Sequence, residues 1–213
     1  MAYDLEEQES LDQLKAWWDK WGTLITVVLT VFCLAFAGYN GWKYYQKVQG
    51  TKATAAYVQL QNAVMNGDKK NIKSLSEGLM KEYPKHVFAS LAAFTQAAAA
   101  ANENDLNTAR SALKWVIEVG KRPEYETLAR VRLAGVELDA GNAKEALAVL
   151  EAAAPGAGSE VIYNDRLGDV QFALGNVDKA REAWEASIRF DKKVNTLSPL
   201  VTLKLEALPD SKN

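Results

Sequence analysis

The chain has 213 residues, with 25 Lys and Arg against 27 Asp and Glu and a formal charge of −2. That length allows one or two domains at the usual ~100 to 200 residues each, and the absence of a dense basic patch excludes the counterion release by which proteins hold nucleic acid. A single cysteine, Cys33, excludes an intramolecular disulfide and a thiolate metal cluster, so stability must come from packing.

Residues 1–21 form an acidic leader, in which six acids (Asp4, Glu6, Glu7, Glu9, Asp12 and Asp19) stand against Lys15 and Lys20. From Trp21 to Trp42 there are 22 residues without a charge. A helix of that length spans roughly 33 Å, which matches a bilayer core of about 30 Å. Trp17, Trp18 and Trp21 precede the segment and Trp42, Tyr44 and Tyr45 follow it, where amphipathic rings prefer the headgroup level. Lys20 and Lys43 are placed to snorkel at the two ends. Residues 22–42 are therefore predicted to be a transmembrane helix, followed by a juxtamembrane linker at 43–50.

Ala35-Phe36-Ala37 before Gly38 has the form of a signal-peptide cleavage site. The acidic leader, where a signal needs a short basic one, and the aromatic belt beyond Gly38 favour an uncleaved anchor. Lys43, Lys47 and Lys52 outnumber Lys15 and Lys20, which mildly favours a cytoplasmic C-terminal side. Long domains translocate largely regardless of charge, so the count leaves topology open. Thr26, Thr30, Cys33, Ala37 and Gly41 fall on one helical face; small residues there let a second membrane helix approach closely, which makes the stripe a candidate docking face.

Beyond Lys43 the pattern is alanine and leucine at helical spacing, broken by Gly, Asn and Pro. LAGVELDAGNAKEALAVLEAA (133–153) and LGDVQFALGNVDKAREAWEAS (167–187) align without a gap, their Gly-Asn pairs 34 residues apart. Thirty-four is the tetratricopeptide period. Gly141 and Gly175 suit a left-handed helix end, Ala134 and Gly168 a close helix approach, and Leu150 and Trp184 the filling between hairpins. Earlier units are degenerate: 51–84 keeps Gly67-Asp68 and Pro84, and 88–122 keeps Ala97, the turn at 102–105 and Ala109. Ile72 to Ala109 and Ala109 to Ala146 are both 37 residues, which predicts longer inter-repeat loops there. Ser198-Pro199 through Leu208 reads as a capping helix. The fold class is all-α: one N-terminal transmembrane helix followed by a tetratricopeptide-type α-solenoid at 51–208, with a tail at 209–213.

In such arrays the inner ridge of each hairpin's first helix lines a concave groove. This places Leu128, Val131, Gly135 and Leu138, then Ile162, Asp165, Asp169 and Phe172, in a groove with an apolar strip and acidic spots suited to a peptide. No phosphate loop, HExxH pair or nucleophile elbow is present. His86 has no orienting carboxylate or nucleophile in its neighbourhood and reads as a solvated loop residue. Cys33, in hydrocarbon, reads as a small packing residue. No catalytic, cofactor-binding or metal site is predicted, and the expectation is a non-enzyme.

The acidic leader, the anchor flanked by Trp42-Lys43-Tyr44, and the block LGDVQFALGNVDKAREAWEASI from Leu167 to Ile188 together resemble the YfgM-like ancillary subunits of the SecYEG translocon. The resemblance covers nearly the full length. It implies a single-pass type II protein of the bacterial inner membrane, with a cytoplasmic leader and periplasmic repeats. It further implies association with SecYEG and the periplasmic chaperone PpiD, transfer of unfolded secretory proteins to periplasmic chaperones, and a link to a stress-response regulator. The lysine count points the other way on topology, and a membrane-anchored, cytoplasm-facing adaptor is the alternative.

Overall fold

The structure, a computed structural model, describes the backbone of residues 2–191 and 197–209, and side chains in those ranges from residue 8 onward. No strand occurs among the described residues, and the fold is all-α. The chain divides into two compact units, Met1–Thr51 and Lys52–Asn213. The side chains of the leader acids Asp4, Glu6 and Glu7, and all of the expected tail but Pro209, lie outside what is described.

Helix α1 runs from Ala2 to Met65. Residues 43–50, expected as a linker, are helical: the stretch has no proline and ends on its one glycine, so nothing interrupts the backbone ladder. In the second unit the end of α1 pairs with α2 (Lys69–Glu82), α3 (Val87–Asn102) with α4 (Leu106–Trp115), α5 (Pro123–Asp139) with α6 (Ala143–Glu151), and α7 (Glu160–Ala173) with α8 (Val177–Phe190). Helix α9 (Ser198–Glu206) packs on α8.

One turn recurs in all four hairpins. Gly67, Asn104, Gly141 and Gly175 take φ of 65°, 60°, 78° and 79°, the left-handed conformation that glycine and asparagine tolerate best. In each, the following N–H donates to a carbonyl five residues back: Asp68 to Ala63, Asp105 to Ala100, Asn142 to Glu137 and Asn176 to Gln171, at 2.9, 2.9, 2.8 and 2.9 Å. These bonds satisfy carbonyls the ending helix would otherwise leave unpaired. The next helix then starts at once: Asp68 and Asp105 accept from the N–H groups of Asn71 and Thr108, at the position where Asp is a favoured cap. Asn142 and Asn176 instead donate their side-chain amides to Glu137 Oε2 and Gln171 Oε1.

The 37-residue spacing has a different origin from the one expected. The loops it was thought to lengthen are short, at 83–86 and 121–122, whereas the 34-residue unit holds the long connection at 152–159. The added residues are helical: α4 continues as a π-helical turn, Val116–Gly120, closed by Lys121 at φ 44°. Helix α6 stops early because Pro155 disfavours helix just before it.

The core follows the repeat. Ala109, Ala146 and Ala180 are fully buried at matching positions, with Ile72 at the first. Ala134, Leu150, Val131 and Val170 join the third hairpin to the fourth, and Trp184 with Val201 and Leu208 seats α9 on α8. Arg110 on α4 grips Glu137 on α5 with two hydrogen bonds of 2.6 and 2.9 Å, fastening the second hairpin to the third.

Candidate partner-binding surfaces

The first surface is the apolar stretch of α1. Its side chains stand exposed: Val28 is 61% accessible, Phe32 67% and Leu34 69%, and only 6% of its most apolar window is buried. A core helix of a water-soluble protein hides such residues; this helix is long and apolar enough to cross a membrane, and a bilayer is a medium that can cover them. Three polar side chains inside the span find acceptors within the helix. Thr26 and Thr30 donate their hydroxyls to the carbonyls of Gly22 and Thr26 at 2.8 and 2.7 Å, and Asn40 donates to Phe36 O at 2.8 Å. This is what hydrocarbon demands of a polar side chain. Lys20 Nζ lies 5.8 Å from the Trp21 ring and Lys43 Nζ 5.6 Å from the Tyr39 ring, so each end carries a cation against an aromatic face. Of the predicted docking stripe, Cys33 is exposed with a free thiol and Gly41 has open space where a side chain would stand.

The second surface lies on the first helices of the repeat hairpins. The predicted groove residues divide by environment. Phe172 is 50% exposed, while Leu128, Leu138 and Ile162 are half-buried. Val131 is 7% exposed and packs among Ala134, Ala146, Leu150 and Val170, so it belongs to the hairpin interface and offers no open surface. Asp165 and Asp169, expected as open acidic spots, are occupied: Lys204 on α9 donates to both at 2.6 Å. The indole N–H of Trp184 adds bonds to Asp165 O at 3.1 Å and Asp169 Oδ1 at 3.2 Å. Asp169, Phe172, Trp184, Lys204 and Leu208 surround a small hollow of about 260 Å³.

A larger cleft, about 600 Å³, lies towards the first three hairpins. Its walls come from the end of α1 (Tyr57, Val64), α3 (Leu91, Phe94, Ala98) and α5 (Tyr125, Leu128, Arg132). Sequence reasoning placed only Leu128 there. The signal for the rest was present: moving Leu128, Val131 and Gly135 back by 37 residues gives Leu91, Phe94 and Ala98, and a second step from Phe94 gives Tyr57. Phe94 meets Tyr125 edge to face, with ring centroids 5.9 Å apart, and Tyr57 stacks on Phe88 at 4.6 Å. The Arg132 guanidinium sits 4.9 Å over the Phe94 ring, and burial pulls its pKa down from the usual arginine value. Lys69 and Glu103, at the cleft rim, pair with each other at 2.9 Å.

His86 corrects another expectation. It is half-buried, not solvated, and caps α3: Nδ1 accepts the Phe88 N–H at 3.4 Å. Burial, with help from the nearby Arg122 charge, lowers its pKa and favours the neutral ring that this cap needs.

Residues 15–210 match the family described as tetratricopeptide repeat-like domain. An ancillary SecYEG translocon subunit of Aggregatibacter actinomycetemcomitans is 30% identical over 188 residues, covering 87% of this chain and 90% of its own. The protein of that name from Haemophilus influenzae is 28% identical over 192 residues, covering 87% and 90%. The one from Escherichia coli is 24% identical over 202 residues, covering 95% and 96%.

Proposed function

From the premise that this chain belongs to the ancillary SecYEG translocon subunits and carries a tetratricopeptide repeat-like domain, we propose that it is a non-enzymatic interaction module. A bilayer span tethers it beside the channel, and the ridge of first helices in its repeats meets other polypeptides. One observation carries the reading: a single chain holds both an uncovered apolar span and an open cleft walled by successive hairpins. Tethering raises the local concentration of the cleft near the channel, so weak contacts suffice.

In this reading residues 1–21 are cytoplasmic, 22–42 cross the inner membrane and the repeats at 51–208 are periplasmic, where they meet PpiD, pass on unfolded secretory chains and connect to a stress-response regulator. The stripe Thr26, Thr30, Cys33, Ala37 and Gly41 faces another membrane helix, and Leu128, Leu138, Ile162 and Phe172 contribute to the partner ridge. The whole-length likeness to ancillary translocon subunits supports it.

The excess of Lys43, Lys47 and Lys52 over Lys15 and Lys20 favours a second reading, an adaptor whose repeats face the cytoplasm. A phosphatase reporter fused after residue 213, active only in the periplasm, separates the two. Photocrosslinking from positions 37 and 172 in intact membranes tests the partners. Adducts to the channel from 37 and to a periplasmic chaperone from 172 support the reading, and a cytoplasmic reporter with neither adduct overturns it.

A further inference from the structure

The cleft between the first three hairpins pairs an apolar interior with one uncompensated charge. Phe94 forms its floor and is 6% exposed, while Tyr57, Leu91, Tyr125 and Leu128 are half-buried along its sides. Three formal charges line it: Lys69, Glu103 and Arg132. Lys69 and Glu103 neutralise one another across 2.9 Å. Arg132 makes no ion pair and no hydrogen bond among the described residues, and its one close neighbour of note is the face of Phe94 at 4.9 Å. A guanidinium on an aromatic floor has surrendered part of its hydration and gained only a cation–π contact. All its N–H donors remain free to grip a carboxylate in a two-pronged, charge-assisted pair.

We infer that this cleft binds a polypeptide segment in which a Glu or Asp side chain is flanked by large apolar residues, the carboxylate pairing with Arg132 and its neighbours packing against Tyr57, Phe94 and Tyr125. The charge complement decides the occupant, because the cleft has a cation and no counter-ion of its own. A basic segment meets repulsion there, and a purely apolar one leaves the guanidinium desolvated and unpaired. Burial already weakens Arg132's hold on its proton, which is the direction an incoming anion reverses. The inference rests on reading the repeats as a partner-binding module and adds the chemistry of the segment recognised.

The test uses the full chain in nanodiscs and three fluorescent nonapeptides with blocked termini: Leu and Phe flanking a central Glu, the same with Gln, and the same with Lys. The Glu peptide is expected to bind about tenfold more tightly than the Gln peptide, the margin of one charge-assisted pair, and the Lys peptide more weakly than both. Arg132→Gln is expected to erase the Glu-over-Gln margin while leaving Gln-peptide affinity within about twofold, since the apolar contacts stay. Ala98→Glu, at an exposed wall position, supplies an internal carboxylate and is expected to abolish Glu-peptide preference with helicity unchanged. Equal binding of Glu and Gln peptides to the unaltered protein, no binding of either, or a margin that survives Arg132→Gln overturns the inference. Co-purification with the channel is scored separately in the same membranes. Its loss with the peptide margin intact counts against the membrane-tethered reading alone, and its retention without the margin counts against this inference alone.

Discussion

Gly168 lies directly against the indole of Trp184: a Cβ at this glycine would fall well inside van der Waals distance of Trp184 Cδ1 and Nε1. The indole has no room to retreat, because its N–H is held by Asp165 O and Asp169 Oδ1 at 3.1 and 3.2 Å. One hairpin earlier the corresponding pair is Ala134 with Leu150, both fully buried. Both repeats put the small residue on the first helix and the large one on the second, and the fourth carries that division further, with glycine against tryptophan. Gly168→Ala is therefore expected to cost about 2 kcal/mol by overpacking. In a Trp184→Leu background the same change reverses sign and stabilises by up to ~1 kcal/mol, because alanine is the better helix former. Urea unfolding of the four-variant cycle measures both numbers.

The Arg110 pair gives Glu137 a carboxyl held below its ordinary value of 4.5, first by the hydrogen bonds from Arg110, which outweigh burial, and also by Asn142. The folded chain thus binds this proton less readily than the unfolded chain. The stability it contributes is full above the ordinary glutamate pKa and is lost as pH falls through the lower folded value. Glu137→Gln should cost about 2 kcal/mol at neutral pH and flatten the acid limb of stability. Urea midpoints taken between neutral and acidic pH check this; an unchanged acid limb would remove Glu137 from the account.

The four turn residues differ in what they tolerate. Gly175 and Gly141 hold φ of 79° and 78°, so Gly175→Ala should lose about 1 kcal/mol through the left-handed penalty. Asn104, at φ 60°, already accommodates that geometry, and Asn104→Gly should move stability by less than about 0.5 kcal/mol. Thermal unfolding of the two variants side by side distinguishes them.

Lys204 is the sole tie among the described residues between α9 and the acids of α7, at 2.6 Å to each. Lys204→Met should cost about 1 kcal/mol and loosen α9 selectively. Hydrogen exchange is the measurement: faster exchange across 198–206, with α3 to α5 unchanged, is the expected outcome.

The last two repeats were legible because their Gly-Asn turns and small-residue positions recur at one interval, each required by a backbone conformation or a close approach. The first two are harder to read since five of the eight buried positions of α3 are alanine, Ala89, Ala92, Ala93, Ala97 and Ala100, and a run of alanines does not mark which one makes the close contact. Spacing counted the extra residues without telling whether they were loop or helix, which is why the π-helical turn at Val116–Gly120 was not foreseen. Asp165 and Asp169 look like open surface in the repeat pattern because their partner lies 39 and 35 residues away in a helix outside it. The cleft at Phe94 and Arg132 lies beyond the reach of the 34-residue register that relates the last two repeats, because its α1 and α3 walls fall on that ridge only at steps of 37.

Among the described residues the main packing runs between neighbouring hairpins: α2 reaches α3, α3 and α4 reach α5, α5 and α6 reach α7, and α8 reaches α9. An array wired this way opens piecewise, from whichever end is less well held. A ligand lodged between Tyr57 and Arg132 bridges three consecutive hairpins and so fuses them into one cooperative block. The α7 to α9 end keeps its own opening equilibrium, free to breathe while the other end is clamped.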